Sequence, residues 1–259
     1  MRIFRRFLLT LSYVTSFPLK GIADTEDYET SLSGLAKYLP SAGMVIGICL
    51  TGIAAVLLIK MQAPHIVSAA ILTIAWLCIT GGLHFDGLMD AADGIFSHRN
   101  KERMLEIMMD SRVGNFGAMT GLAVLLVKFS CIASLCDNVP LLLGALLIVP
   151  AWARWCELYA IGRFPYARPE GKGKIWHDST NFPADLFKGL LIPLMVSVTT
   201  AAQIGLSPTL LIIAFGLVSG LVASHWLASH IEGHTGDTYG AVVELSEAGC
   251  LLFTSIVLS

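Results

Sequence analysis

Pro40-Ser-Ala-Gly-Met-Val-Ile-Gly-Ile-Cys-Leu-Thr-Gly-Ile-Ala-Ala-Val-Leu-Leu-Ile59 runs for twenty residues without a charged side chain. A helix rises about 1.5 Å per residue, so such a run covers the ~30 Å of hydrocarbon in a bilayer. Six further apolar runs follow at 64–83, 115–135, 139–162, 187–206, 208–229 and 241–258. The last is the weakest, with Glu244, Ser246 and Glu247 in its first half. Ile3 to Phe17 is also apolar but short, headed by Arg2, Arg5 and Arg6, and no small-residue cleavage site precedes Pro18. That pattern predicts an interfacial or re-entrant helix rather than a cleaved signal. The expected fold is all-α: a polytopic integral membrane bundle of about seven transmembrane helices plus the N-terminal helix, one membrane-embedded domain over residues 1–259.

Composition points the same way. Hydrophobic residues make up 55% of the 259 and charged residues 14%, against about 25% charged in soluble domains; the mean hydropathy is +0.71. These values exclude a disordered chain, a fibrous repeat, a nucleic-acid reader and a disulfide scaffold. Six cysteines lie scattered in apolar stretches with no Cys-x-x-Cys pair, which predicts buried apolar residues and neither disulfides nor a zinc site.

The few charges are unevenly placed. Lys and Arg number five in 1–39 (Arg2, Arg5, Arg6, Lys20, Lys37), four in 84–114 (Arg99, Lys101, Arg103, Arg112) and five in 163–188 (Arg163, Arg168, Lys172, Lys174, Lys188). Seven crossings put these segments, and 230–240, on one side. Fourteen of the 17 basic residues then lie there, which the positive-inside rule makes cytoplasmic. The N-terminus is expected inside and Ser259 outside, in a bacterial cytoplasmic (inner) membrane.

The densest polar segment is Gly81-Gly-Leu-His-Phe-Asp-Gly-Leu-Met-Asp-Ala-Ala-Asp-Gly94. Asp86, Asp90 and Asp93 stand at i, i+4 and i+7, one face of a helix. No basic residue between 82 and 98 neutralises them. An oxygen-only set of this kind suits Mg²⁺ or Mn²⁺ and phosphate chemistry; a wet acidic loop is the plainer alternative. His84 adjoins the aspartates and could accept a proton, bind substrate or make a fixed hydrogen bond at a helix end. Residues 97–112 read as an amphipathic helix along the cytoplasmic surface, with Met104, Leu105, Met108 and Met109 on its apolar side. Arg99, Arg103 and Arg112 offer guanidinium forks to phosphate, Glu102 reads as solvated, and Asp110-Ser111-Arg112 closes the helix as a candidate functional triplet.

Two later segments complete the constellation. Residues 168–178 form a Gly-rich basic loop in which Lys172 and Lys174 could hold an anionic substrate or an anionic lipid. Gly233-His-Thr-Gly-Asp-Thr-Tyr-Gly240 leads into a helix, so the turns around Thr235 and Asp237 can present backbone N–H groups to phosphate. Glu244, inside an apolar span, is by default functional. Its alternative, like that of Glu247, is an ion pair with Lys128 or Arg154.

Residues 81–94, Arg103-Met-Leu-Glu-Ile-Met-Met-Asp-Ser-Arg-Val-Gly114 and Gly236-Asp-Thr-Tyr-Gly-Ala-Val-Val-Glu244 together resemble the cobalamin synthase (adenosylcobinamide-GDP ribazoletransferase) family. The likeness runs over essentially the whole chain, through hydropathy alone between 120 and 230. It implies a Mg²⁺-dependent membrane enzyme that joins adenosylcobinamide-GDP to α-ribazole or its 5′-phosphate, giving adenosylcobalamin or its 5′-phosphate and GMP. On that resemblance Asp86, Asp90, Asp93 and Glu244 hold metal. Asp110 or His84 is the base, and Arg112, backed by Arg99 or Arg103, meets phosphoryl oxygens. Ser111, Lys172, Lys174, Thr235 and Asp237 bind substrate. Membrane lipid, a second copy of the chain and other corrinoid-pathway enzymes are the further partners it implies. Small residues Gly216, Gly220 and Ala223 would permit close helix packing.

Two rivals stand beside this reading. Asp90-x-x-Asp93-Gly94 looks loosely like the start of the CDP-alcohol phosphotransferase motif, but the Ala-Arg and the Gly-x3-Asp-x3-Asp tail of that family are missing. A cation transporter is the other, and it should carry its acids near the bilayer midplane rather than at span ends.

Overall fold

The structure is a computed structural model and describes residues 2–18 and 33–258. Lys20 and Ser259, both used in the orientation reading, lie outside the described residues. The elements are α1 (Arg2–Val14), α2 (Leu39–Ala55), α3 (His65–Ile79), α4 (Leu83–Ile95), α5 (Lys101–Ile107), α6 (Asn115–Leu135), α7 (Val139–Arg163), α8 (Lys172–Asp178), α9 (Ala184–Ile204), α10 (Leu206–Ile231) and α11 (Gly236–Leu258). A 3-10 turn, Ala36–Tyr38, leads into α2, and a wider π turn, Val56–Lys60, extends it. Among the described residues there is no strand, only an isolated bridge between Tyr166 and His234.

Six helices are each long and apolar enough to cross a bilayer: α2 with its flanking turns, α6, α7, α9, α10 and α11. The seventh expected span, 64–83, is where sequence and structure part. Helix α3 stops at Ile79, and α4 leaves it at 88°. Gly81 and Gly82 take φ of +62° and +72°, a left-handed pair that side chains with a Cβ resist. The pair turns the chain sideways before the acidic residues begin.

Contacts between chain segments sort the two ends of the bundle. At one end His65 meets Asp137, Nδ1 to Oδ1 at 3.0 Å. At the other, the Ser16 N–H donates to the Ile79 carbonyl at 2.8 Å, Lys101 pairs with Glu232 at 2.7 Å and Arg168 with Asp237 at 2.8 Å. The basic connections share that second end, as the charge count predicts. Helix α1 docks there too: Leu9, Leu11 and Val14 are buried, and the Arg6 guanidinium donates to the Ser33 carbonyl at 2.8 Å. Ile3 and Phe4 remain exposed.

Helix α7 is the hub. Gly43 and Gly47 of α2 lie on the backbone carbonyls of Pro150 and Leu147, with no room for a Cβ. The small residues of α10 are used within the chain as well, Gly220 against Cys156 of α7 and Gly216 against Cys250 of α11. All six cysteines are free. The bundle interior also holds a cluster of four charges. Lys128 Nζ lies 2.6 Å from both Glu244 Oε2 and Glu247 Oε2, and Glu247 pairs on its other oxygen with Arg154. Two cations and two anions close on each other, and Lys128 sits 4.8 Å from the centre of the Trp76 ring.

Candidate active site

Helix α4 lies across the ends of the spans. Its Gly87 backs onto Asp237, the His84 backbone onto Gly240, and Asp93 onto Gly114 and Gly117. All of those partners belong to the opening turns of α11 and α6, so α4 is level with span ends rather than inside a span. Asp86 is exposed there and Asp90 half-buried. Burial first, then the charges of Asp86, Asp237 and Asp93, push Asp90 up to about 7, with Arg168 opposing. Carboxylates crowded to that degree call for a cation.

Asp93 has a different task. Its two oxygens accept from the backbone N–H of Gly114 (2.7 Å) and Gly117 (2.8 Å), capping the start of α6, where unpaired N–H groups favour an anion. A Cβ at either glycine would run into that carboxylate. Asp93→Ala should therefore lower the thermal stability of the detergent-solubilised protein by about 1–2 kcal/mol. Asp86→Ala, at an exposed position, should barely move the melting curve. Equal melting of the two variants would remove the capping role.

The loop after α7 reaches the same place through paired backbone. The Ala167 N–H donates to the His234 carbonyl at 2.8 Å and the His234 N–H to the Pro165 carbonyl at 2.9 Å. That pairing sets Arg168 against Asp237, 2.8 Å from Oδ2, and lets it donate to the Leu105 carbonyl at 3.3 Å. Thr235 donates to Asp237 at 3.3 Å, and Thr235 and Thr238 exchange backbone and hydroxyl bonds at the start of α11. Between α4, α7, α8 and α11 lies a cavity of about 290 Å³. Asp86, Lys172, Arg168 and Asp237 line its outer part, and His84, Glu157, Trp176 and Tyr239 its buried part.

The family comparison completes the picture. The sequence model of the family described as Cobalamin-5-phosphate synthase matches residues 6–255. The chain belongs to that family. Proteins named adenosylcobinamide-GDP ribazoletransferase match it nearly end to end. The one from Thermosynechococcus vestitus is 37% identical, covering 95% of this chain and 94% of its own. The Desulfitobacterium hafniense protein is 38% identical over 96% and 95%, and that from Clostridium acetobutylicum 31% over 100% and 98%. No solved structure matches.

This cobalamin-5-phosphate synthase family member gathers only part of the site expected from its sequence. His84, Asp86, Lys172 and Asp237 line the cavity, Asp90 is close enough to Asp86 and Asp237 to feel their charge, and Thr235 supports Asp237. Asp110 and Arg112 instead pair with each other, Nη2 to Oδ2 at 2.6 Å, on an exposed loop. Arg112 hydrogen bonds bring Asp110 down to about 2. Arg103 pairs with Glu106 at 2.6 Å on the outer face of α5, and Arg99 and Ser111 are exposed. Lys174 is held by Asp178 at 2.5 Å. None of these six lines the cavity. Helix α5 is shorter than the helix expected over 97–112; Asn100 caps it by accepting from the Arg103 N–H at 3.2 Å, and Met104 and Met108 are buried while Met109 is exposed. Glu244, expected as a metal ligand, is engaged by Lys128 inside the bundle, the ion-pair alternative.

Glu157, Arg168, Trp176 and Tyr239 are among the cavity residues not singled out from sequence. Glu157 carried a signal, since a carboxylate in an apolar span is costly whichever span holds it. The tyrosine and tryptophan carried none, because aromatic residues in apolar sequence usually fill cores. Among the described residues, no three His, Cys, Asp or Glu side chains converge as a closed ligand set. A pair of carboxylates does suit Mg²⁺, which typically takes one or two carboxylates and completes its shell with water and substrate phosphates.

Proposed function

We propose that the protein joins adenosylcobinamide-GDP to α-ribazole or its 5′-phosphate, releasing GMP and yielding adenosylcobalamin or its 5′-phosphate. The observation that carries this reading is the open acidic cluster, Asp86, Asp90 and Asp237, facing Arg168 and Lys172 at the mouth of a nucleoside-sized cavity. Family membership and the names of the relatives select this reaction over a CDP-alcohol transfer. A ribose hydroxyl of the acceptor attacks the cobinamide-linked phosphorus. The phosphoanhydride bond breaks, GMP leaves with the bonding electrons, and the hydroxyl proton passes to a base.

Positioning and charge neutralisation dominate chemistry of this kind. Asp86 and Asp90 would hold Mg²⁺, which when bound would offset the charge of the diphosphate and of the leaving GMP. Arg168, held by Asp237 and the Leu105 carbonyl, presents its remaining N–H groups to phosphoryl oxygens. Lys172 adds an exposed cation at the rim. Of the two candidate bases, His84 is the one that lines the cavity. The basic end of the bundle faces the cytoplasm of a bacterium in this reading, where a soluble nucleoside acceptor can reach it.

Turnover by purified protein in detergent tests the proposal. Adenosylcobinamide-GDP, α-ribazole and Mg²⁺ should give GMP and adenosylcobalamin in equal amounts, and a chelator should stop both. Absence of GMP from folded protein would refute the reaction, and full activity in excess chelator would refute the metal.

A further inference from the structure

The buried part of the cavity is polar in an unusual way. His84, Glu157, Trp176 and Tyr239 are each at most 6% exposed. Yet both His84 ring nitrogens, Glu157 Oε2, Trp176 Nε1 and the Tyr239 hydroxyl have no hydrogen-bond partner among the described residues. The nearest approach is His84 Nε2 to Glu157 Oε1, at 3.6 Å and beyond hydrogen-bond reach. Buried polar atoms of a folded protein are normally satisfied, and an unmet one costs stability. Four such side chains around one cavity therefore point to a ligand that meets them.

We propose that this cavity seats the acceptor nucleoside, with Glu157 as the acceptor for its ribose hydroxyls and Tyr239 and Trp176 as donors along its base. The inference rests on the transferase reading and extends it to residues that reading does not use. About 290 Å³ is the size of one nucleoside, far too small for a corrinoid. A carboxylate oxygen with free lone pairs takes O–H donors, and a vicinal diol supplies two. In α-ribazole the base is a benzimidazole joined to the ribose through one ring nitrogen, which leaves no ring N–H, so Glu157 must meet the sugar rather than the base. Its one unsubstituted ring nitrogen is an acceptor, which a tyrosine O–H or an indole N–H can meet. Tyr166, packed against Tyr239 with ring centres 6.4 Å apart and the planes tilted by 43°, adds an aromatic face to the cavity. With the nucleoside there, its hydroxyls lie beside His84, and the donor diphosphate meets Asp86, Asp237 and Arg168 at the mouth.

Glu157→Gln, nearly isosteric, converts half of the acceptor into a donor. The KM for α-ribazole should rise about tenfold or more, while the KM for adenosylcobinamide-GDP stays within about twofold. Tyr239→Phe should weaken α-ribazole by a smaller factor and leave the melting curve in place. Calorimetric titration with α-ribazole alone and with GMP alone reads the same site without turnover. Wild-type protein should bind α-ribazole, and Glu157→Gln should weaken that binding and leave GMP unchanged. Loss of GMP affinity in Glu157→Gln would assign the cavity to the leaving nucleotide and overturn the proposal. So would an unchanged α-ribazole affinity in both variants. Wild-type protein that binds α-ribazole but releases no GMP from the full mixture would leave the pocket standing and refute the reaction instead.

Discussion

Asp90→Asn should lower the rate of GMP release about a hundred- to a thousandfold while the protein still inserts, purifies and melts as wild type. The substitution keeps the size of the side chain and removes only the charge that a cation would meet. Losses of that order follow when one preorganised electrostatic contact to a phosphoryl-transfer site is deleted. Asp86→Ala should behave alike, and a wild-type rate in either variant would refute the metal assignment. A pH series adds a second readout. Asp90 is pushed up to about 7, so below that value a cation must displace a proton from it. The Mg²⁺ concentration for half-maximal rate should then climb as pH falls from 8 to 6, by up to about tenfold per unit below 7. In Asp90→Asn that dependence should disappear from the residual activity.

The largest effect on stability is expected at Glu247→Ala. Glu247 meets Lys128 on one oxygen and Arg154 on the other, and all three are buried in the bundle. Its removal leaves two cations facing Glu244 alone. Breaking a buried pair by deleting one partner costs about 3–5 kcal/mol, because the stranded charge keeps its desolvation penalty. The variant should yield little folded protein from detergent, or melt far below wild type. Removing a charge of each sign, as in Lys128→Met with Glu244→Gln, keeps Arg154 and Glu247 together and should be markedly milder. Equal damage from both would show that packing rather than charge balance governs this layer. The closure of these four charges on one another also weighs against the transporter rival, whose intramembrane carboxylates should be open to a pathway.

Much of the fold was legible because crossing a bilayer demands long apolar helices. The run 115–135 coincides with α6, and 139–162 falls one residue short of α7. Elsewhere polar first turns hid the true starts: α9 begins at Ala184 and α11 at Gly236, before their apolar runs. The α3–α4 break was hidden for another reason. Hydropathy stays high through Ile79, and only two glycines record the turn. In the candidate site, spacing on one helix was enough to group Asp86 with Asp90, since i and i+4 share a face. The same rule gave no sign that Asp93 caps α6, through a partner 21 residues on. Asp110 and Arg112 were read as reaching for substrate, whereas they satisfy each other two residues apart. Arg168 enters the site through the pairing of distant loops and Glu157 through the approach of α7 to His84 of α4, neither of which a local pattern encodes.

The right-angle turn at Gly81 and Gly82 has a geometric consequence for the acids that follow it. From Asp86 to Asp93 a helix advances about 10 Å. Had α3 run straight on, that advance would carry each aspartate farther out into water than the last, with Asp93 well clear of the bundle. Turned by 88°, the helix makes the same advance sideways. Asp86, Asp90 and Asp93 therefore follow one another across the span ends, and their surroundings change along the helix from exposed to half-buried to buried. A cation arriving at the open end of this row would meet Asp86 and Asp90 together, while Asp93 at its buried end ties the row to the start of α6.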